Sequence, residues 1–472
     1  MTIAWLTSLS ILALLGLLGF LMAAAILPGH KWTHYLPVSY LLGSGVFTWA
    51  LFLLAWAGMP INVPTVVWLF ALMLLGVLFL WTRARRALSD SAHQPAASFD
   101  GANSNNRIFR GIAMMVLLVL WVWASWVAVG RSYWAWDSAA IWGVRGHGIA
   151  LEGTVFTEWG AHGLSYPLNL PLQITLFELG NAEMLPGGKL VFPLYYVSAL
   201  AGILIFWLQK GVPSYITVLG VLLIGTVPQV FEQATNGYAD LAQAAYLVIG
   251  ALYAVEGIYQ DNRSASILAG MLIGLGGWTR LEGTLYGVAI LAALLVLSSL
   301  SRITLRRIAT SALWFGLIVG PWLAFYRQYG AEGSTSMNAW LEFLDDIRMG
   351  QVDLYPLRLI LGFLRRQMFD PAIWGLLFPA CIVLGLLSWR RFVQRSEPVV
   401  LTIVLVGISI GAVTILLYFG ISFVAPDFLA WMRQSFARAF LPSALCAWIV
   451  AVLVTGRGQA ENKWTVQPRS GV

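Results

Sequence analysis

Thirteen apolar runs, most of them close to twenty residues long, divide this chain from one end to the other. They cover residues 3 to 27, 36 to 58, 62 to 82, 111 to 130, 189 to 209, 213 to 228, 240 to 258, 264 to 279, 283 to 301, 308 to 326, 371 to 389, 398 to 420 and 440 to 456. Coiled as helices, runs of that length match the thickness of a bilayer's hydrocarbon. In lipid every backbone N–H and C=O must be paired internally, so a spanning segment is a helix or part of a closed barrel. A barrel strand would read as a short alternating segment, and these runs do not alternate. Only 10% of the 472 residues are charged, against about a quarter in soluble domains, and mean hydropathy is +0.78. The expected fold is all-α: a polytopic transmembrane helical bundle of about 13 spans, with amphipathic interfacial helices in the outer loops.

Loop charge sets the orientation, because Lys and Arg collect on the cytoplasmic side. Placing "RARR" (83 to 86), Arg107, Arg110, "RITLRR" (302 to 307), "RRFVQR" (390 to 395) and the C-terminal tail inside puts the N-terminus outside. The inner side then carries about 17 Lys and Arg against 6 acids, the outer side about 11 against 15. The first apolar run has no basic n-region and is too long for a signal peptide's core, so it reads as a retained helix. Residues 87 to 109 are small and polar, which marks off four parts: N-terminal transmembrane helices (1–82), a cytoplasmic linker (83–110), a core with a large outer loop at 131–188 (111–330), and C-terminal transmembrane helices with outer loops and a cytoplasmic tail (331–472). The net charge of +7 is spread in short clusters between apolar runs, so no nucleic-acid partner is expected. Cys381 and Cys446 lie inside apolar segments and read as small buried hydrophobes.

On this topology Asp137, Glu232, Asp240, Arg280, Glu282, Asp427, Arg433 and Arg438 all fall at the outer membrane boundary. Charges at the edge of hydrocarbon are costly unless they pair or line a wet cavity, so their gathering on one side points to a polar cavity opening outward. Asp137 either caps a short interfacial helix or serves as a general base. Asp240, with Asn236, Tyr238 and Gln243 around it in "TNGYADLAQAAY", either complements a helix N-terminus or joins the cavity. "GGWTRLEGTLYG" (276 to 287) breaks an apolar stretch with Arg280 and Glu282 and so must be a tight reversal between two spans. Its two charges either form a local pair or present Arg280 to an anionic ligand oxygen. In "SYPLNLPLQ" (165 to 173) Pro167 and Pro171 predict an extended segment presenting Tyr166 and Asn169. Glu158 and His162 have i, i+4 spacing, a weak metal signal without further ligands. Arg365 and Arg366 read as snorkelling or as lipid-phosphate contacts.

An acid just past a span in "WAWDSAA", an amphipathic continuation with "ALEGTVF", and then "SYPLNLPLQ" resemble the first outer loop of GT-C membrane glycosyltransferases, of the protein O-mannosyltransferase and aminoarabinose-transferase kind. The resemblance covers residues 131 to 300. Two departures stand out: Asn169 occupies the place of a frequent Lys, and the loop follows the fourth span rather than the first. The resemblance implies transfer of a sugar from a polyprenyl-phosphate-linked donor to an extracytoplasmic glycan, lipid or protein acceptor, with Asp137 as the catalytic acid residue. The protein would sit in the cytoplasmic (inner) membrane among membrane lipids, its active site facing out.

The expected mechanism is a direct, inverting displacement. Asp137 takes the acceptor's proton, Arg280, Arg433 or Arg438 meets the donor phosphate, and Tyr166, Asn169, Asn236, Asp240 and Glu282 contact sugar or acceptor. No cofactor is certain; a divalent cation, Mg²⁺ or Mn²⁺, on the carboxylates is an open alternative. An O-antigen ligase or polymerase and a membrane transporter are the rival functions, the latter requiring polar residues on the inner half as well. The orientation is checked by cysteine labelling: Asp137→Cys is expected to react with a membrane-impermeant maleimide added from outside the cell. Reaction from the inside alone reverses the topology.

Overall fold

The computed structural model describes residues 2–90, 104–131, 135–160, 163–180, 188–297, 302–330, 345, 348–350, 353–394, 398–425 and 427–456. Among these the chain is helical, with no strand. Every apolar run expected from the sequence coincides with a helix. In chain order these are α1 (Thr2–Ile26), α2 (Leu36–Trp56), α3 (Val63–Asp90), α4 (Ser104–Gly130), α7 (Val191–Gln209), α8 (Ser214–Gly225), α10 (Asp240–Tyr259), α11 (Arg263–Thr279), α12 (Leu281–Leu297), α13 (Arg302–Phe325), α16 (Leu377–Gln394), α17 (Pro398–Val424) and α19 (Leu441–Gly456). Between them lie α5 (Val144–Glu152), α6 (Asn169–Leu179), α9 (Pro228–Gln233), α14 (Tyr355–Met368), α15 (Pro371–Trp374) and α18 (Phe428–Ala439).

Among the described residues eight helices are long and apolar enough to cross a membrane, or nine if α18 and α19, bent by 41° at their junction, count as one span. The remainder of the thirteen are shorter helices such as Ser214–Gly225 and Leu281–Leu297. The protein is an all-α polytopic membrane protein. Both ends of the expected linker are helical, since α3 runs on to Asp90 and α4 begins at Ser104. Its centre (91–103), His162, most of 331–352 and the C-terminal tail (457–472) lie outside the described residues.

Small residues set the closest helix contacts. A side chain at Gly19 would overlap the Ser39 carbonyl, and one at Gly43 would overlap that of Leu15, so α1 and α2 meet backbone to backbone as an antiparallel pair. The same device folds α11 onto α12: Gly283 faces the Gly276 carbonyl and Gly287 packs on Phe315 and Ile273. A single residue, Arg280, joins these two helices, which is the tight reversal that "GGWTRLEGTLYG" requires.

A buried polar network crosses the centre of the bundle. Tyr40 donates to Gln173 Oε1 (2.9 Å), while Gln173 Nε2 donates to the Tyr195 hydroxyl (2.7 Å) and to Asn169 Oδ1 (2.9 Å). Thr48 also donates to Asn169 Oδ1 (2.7 Å), and Asn169 Nδ2 donates to the Thr279 hydroxyl (2.8 Å). Buried polar groups are tolerable when each finds its partner, and a satisfied set rigidifies what it joins. Here it ties α2, α6, α7 and α11 together one residue away from Arg280.

The Gly19–Gly43 contact gives the first prediction. Gly43→Val is expected to push α1 from α2 and destabilise the bundle by about 1–3 kcal/mol, read as a lower melting midpoint in detergent; an unchanged midpoint would refute the close crossing.

Candidate active site

Arg280 is the pivot of the site. Its backbone is extended (φ −148°, ψ 149°) between the end of α11 and the start of α12, and the side chain is buried, with 8% exposure. A buried guanidinium needs counter-charge. Arg280 has two: Nη1 pairs with Asp240 Oδ1 at the start of α10, while Nε and Nη2 reach the two oxygens of Glu282 at 3.3 and 3.2 Å. The local pair expected from the sequence is present, and its arginine also bridges to a third helix.

Arg438, in the last turn of α18, approaches from the other side. Its Nη1 lies 2.7 Å from Asp137 Oδ2 and 3.9 Å from Asp240 Oδ2, and its guanidinium stacks 4.1 Å from the centre of the Tyr238 ring. Two arginines and three carboxylates, 301 positions apart in sequence at the extremes, thus form one charge cluster. The helix-capping alternative for Asp137 does not hold: Asp137 has helical dihedrals (φ −61°, ψ −36°) and makes no side-chain cap. A π-helical stretch, Ser138–Gly143, follows it at once; such turns are uncommon and recur at functional sites.

Tyr166 borders this pocket. Burial raises its phenol pKa, Glu282 and Asp137 reinforce the shift, and Arg280 and Arg438 oppose it, so the hydroxyl lies within the field of all four charges. Asn236, 2% exposed, accepts from the Tyr238 N–H at 3.0 Å. Its Nδ2, like Gln243 Nε2 one turn along from Asp240, has no hydrogen-bond partner among the described residues. These two amides are donors available to a hydroxyl-bearing ligand.

Three sequence expectations shift. Asn169 is not presented to a ligand: it is fully buried in the central network. The segment around it is not extended either, because α6 begins at Asn169 with Pro171 in its first turn, where proline's missing N–H has no intrahelical partner to lose. Arg433 is exposed, five residues before Arg438 and turned away from the pocket. Glu158 is exposed, as are Arg365 and Arg366 in the last turn of the amphipathic α14.

Most of the carboxylate oxygens already face arginines. Both Glu282 oxygens and Asp240 Oδ1 face Arg280, and Asp137 Oδ2 faces Arg438. No group of three His, Cys, Asp or Glu able to hold a metal occurs among the described residues.

Two buried donors in this region carry no sequence signal strong enough to single them out. Arg145 on α5 is 1% exposed, and Trp142, three residues earlier, is equally buried. "WGVRGHG" belongs to the amphipathic continuation after Asp137, and nothing in its pattern marks either side chain as interior.

No protein-family model matches the chain, and neither does any curated protein. Solved structures of the Archaeoglobus fulgidus oligosaccharyltransferase align with part of this chain. The complex with zinc and sulfate aligns at TM-score 0.40 and 14% identity over 70% of this chain and 48% of that one. The archaeal oligosaccharyltransferase AglB from the same organism, in complex with an inhibitory peptide and a dolichol-phosphate, gives 0.40 and 14% over 71% and 50%. The form tethered to an acceptor peptide containing the NVT sequon gives 0.42 and 14% over 71% and 49%. The chain spans about half the length of these proteins.

The buried pair at the pivot yields the second prediction. Arg280→Met leaves Asp240 buried beside a single distant cation and is expected to cost about 3–5 kcal/mol. Adding Asp240→Leu should recover a large part of that loss; a double variant no more stable than Arg280→Met would show that the two charges are not coupled.

Proposed function

We propose that this protein is a membrane glycosyltransferase that moves a sugar from a polyprenyl-phosphate-linked donor to a hydroxyl-bearing acceptor at the extracytoplasmic face of the cytoplasmic (inner) membrane. The observation that carries this reading is the Asp137 carboxylate. It is released from helix capping and held by Arg438 beside Asp240, Arg280 and Tyr166 at one end of the bundle.

Asp137 Oδ2 is engaged by Arg438, which leaves Oδ1 as the oxygen for the acceptor. In the proposed reaction Oδ1 accepts the acceptor hydroxyl's proton as that oxygen forms a bond to the anomeric carbon. The bond from that carbon to the phosphate oxygen breaks, and its electron pair leaves with the lipid phosphate. One displacement inverts the anomeric configuration. Arg438 is the arginine placed to follow this charge: its Nε is buried without a partner, so it can shift from Asp137 toward a phosphate and leave the carboxylate a stronger base. Arg280 holds Asp240 and Glu282 in place, and Asn236, Gln243, Tyr166 and Tyr238 meet the sugar or acceptor. No step draws on a metal ion, and Arg433 takes no part.

A carrier-borne donor accounts for the site's place at the end of the spans, where a phosphate at the lipid surface meets a hydroxyl from the water. The test is transfer by the purified chain in liposomes containing polyprenyl-phosphate-linked sugars. Asp137→Asn is expected to lower the rate by about 10²–10⁴-fold while donor binding persists. Undiminished transfer by that variant would overturn the base assignment, and solute uptake without any glycan product would favour a transporter.

A further inference from the structure

Arg145 is a buried cation with no acid beside it among the described residues. Its side chain is enclosed, with 1% exposure, and makes a single hydrogen bond, from Nη1 to the Tyr166 carbonyl at 3.0 Å. Nε and Nη2 have no partner among the described residues, and neither has the indole N–H of Trp142, also 1% exposed. The two side chains are three residues apart and so share a face of the helical stretch. Both meet Tyr166, Arg145 at its carbonyl and Trp142 at its ring, with centroids 5.6 Å apart. Tyr166 in turn looks onto the Asp137, Arg280, Glu282 and Arg438 pocket. The chain closes over this spot at Gly160 (φ +100°), where a Cβ would meet Arg145's own at 3.4 Å and the Ala140 carbonyl at 3.3 Å.

Three unpartnered donors with one formal positive charge and no free acceptor are a costly thing to bury. Burial alone, with no carboxylate to oppose it, pulls the guanidinium pKa down to about 9, so the group is still charged at neutral pH. What completes such a set is an oxyanion. The neighbouring pocket sharpens the need: its three carboxylates outnumber its two arginines, so an arriving phosphate meets a net negative charge and requires a further cation nearby.

We propose that Arg145 and Trp142 form a phosphate subsite behind Tyr166, in which Nε, Nη2 and the indole N–H bind the oxygens of a phosphate group. The link to a lipid-borne donor rests on the transferase reading above; the phosphate chemistry itself does not. Arg145 and Trp142 would hold the phosphate while Arg438 answers to Asp137, which separates anchoring the carrier from activating the acceptor.

The experiment is phosphorus NMR titration of the full chain in nanodiscs with two probes, a polyprenyl monophosphate and inorganic phosphate. Arg145→Met is expected to weaken binding by about tenfold or more, with a melting midpoint equal to or above that of the parent, since an unpaired buried charge has been removed. Trp142→Phe, which keeps the ring and deletes only the N–H, should weaken binding severalfold and keeps the test decisive if Arg145→Met does not fold. Loss for the lipid phosphate alone supports the subsite and names the carrier as its occupant; loss for both probes supports it as a site for a phosphate group from either source; loss for inorganic phosphate alone supports it with a free phosphate as occupant. Unchanged affinity for both probes overturns it. Because binding is read without turnover, a chain that binds phosphate through Arg145 but transfers no sugar keeps the subsite and loses the transferase reading.

Discussion

The engagement of Arg280 by Asp240 and Glu282 is the constraint on which the arrangement of this end of the bundle depends. A guanidinium at 8% exposure between two apolar helices is admissible only with counter-charge, and its partners come from the starts of α10 and α12. Three helix ends are therefore fixed against one another by charge, in a medium where hydrophobic contact is nearly indifferent to which helix face meets which. The central hydrogen-bond network reinforces this from below, because Asn169 holds Thr279, the residue just before Arg280. Asn169 thus serves the site through its framework, although it touches no ligand-facing group.

How far the sequence speaks for the structure differs sharply between fold and site. The helices were legible because lipid imposes a single rule, about twenty apolar residues per crossing, and each run obeys it or falls a little short. The reversal at Arg280 was legible for the same reason: a charged pair cannot lie mid-membrane in one straight helix. Asp137, Asp240 and Glu282 were visible as acids at apolar boundaries, but apart from the local pair of Glu282 with Arg280, which arginine each would meet was not. That depends on α18 folding back, and the 301-residue separation of Arg438 from Asp137 leaves no local trace. The prolines of "SYPLNLPLQ" misled because proline is read as a helix breaker in general, whereas in a first turn it opens one. Arg145 escaped because burial of a cation among glycines is a tertiary fact with no periodicity of its own.

The polar interior bears on the choice between enzyme and transporter. A transport path needs donors and acceptors that a passing solute can borrow. The interior network is instead closed on itself: Gln173 has Tyr40, Tyr195 and Asn169 as partners, and the Tyr195 and Tyr246 hydroxyls lie 3.2 Å apart with Tyr246 bonded onward to the Leu41 carbonyl. The unpartnered groups near the charged pocket, Asn236 Nδ2, Gln243 Nε2 and Arg438 Nε, belong to the helix ends and loops that flank it. Unpartnered donors beside the charged cluster, next to a network closed on itself, suit a reaction at that cluster better than passage through the network.

Arg438 shows how such a site couples to the bilayer. It is carried by α18, an amphipathic helix whose Met432 and Phe436 are buried against Phe428, Tyr418 and Ile360 while Trp431 and Arg433 are exposed. Five residues separate Arg433 from Arg438, about 140° around a helix, so one arginine turns outward while the other enters the pocket. Sequence alone treats the two as equivalent; the helical period makes them different. A helix seated in this way on the apolar surface places a mobile-length side chain, stacked on Tyr238, between Asp137 and Asp240. Its charge is shared between two carboxylates rather than committed to one, and a shared cation can be drawn to a third anion at lower cost than a locked one. Arg280, saturated by a bidentate partner and a second acid, has no such freedom, which is why structural support and electrostatic response fall to different arginines of the same pocket.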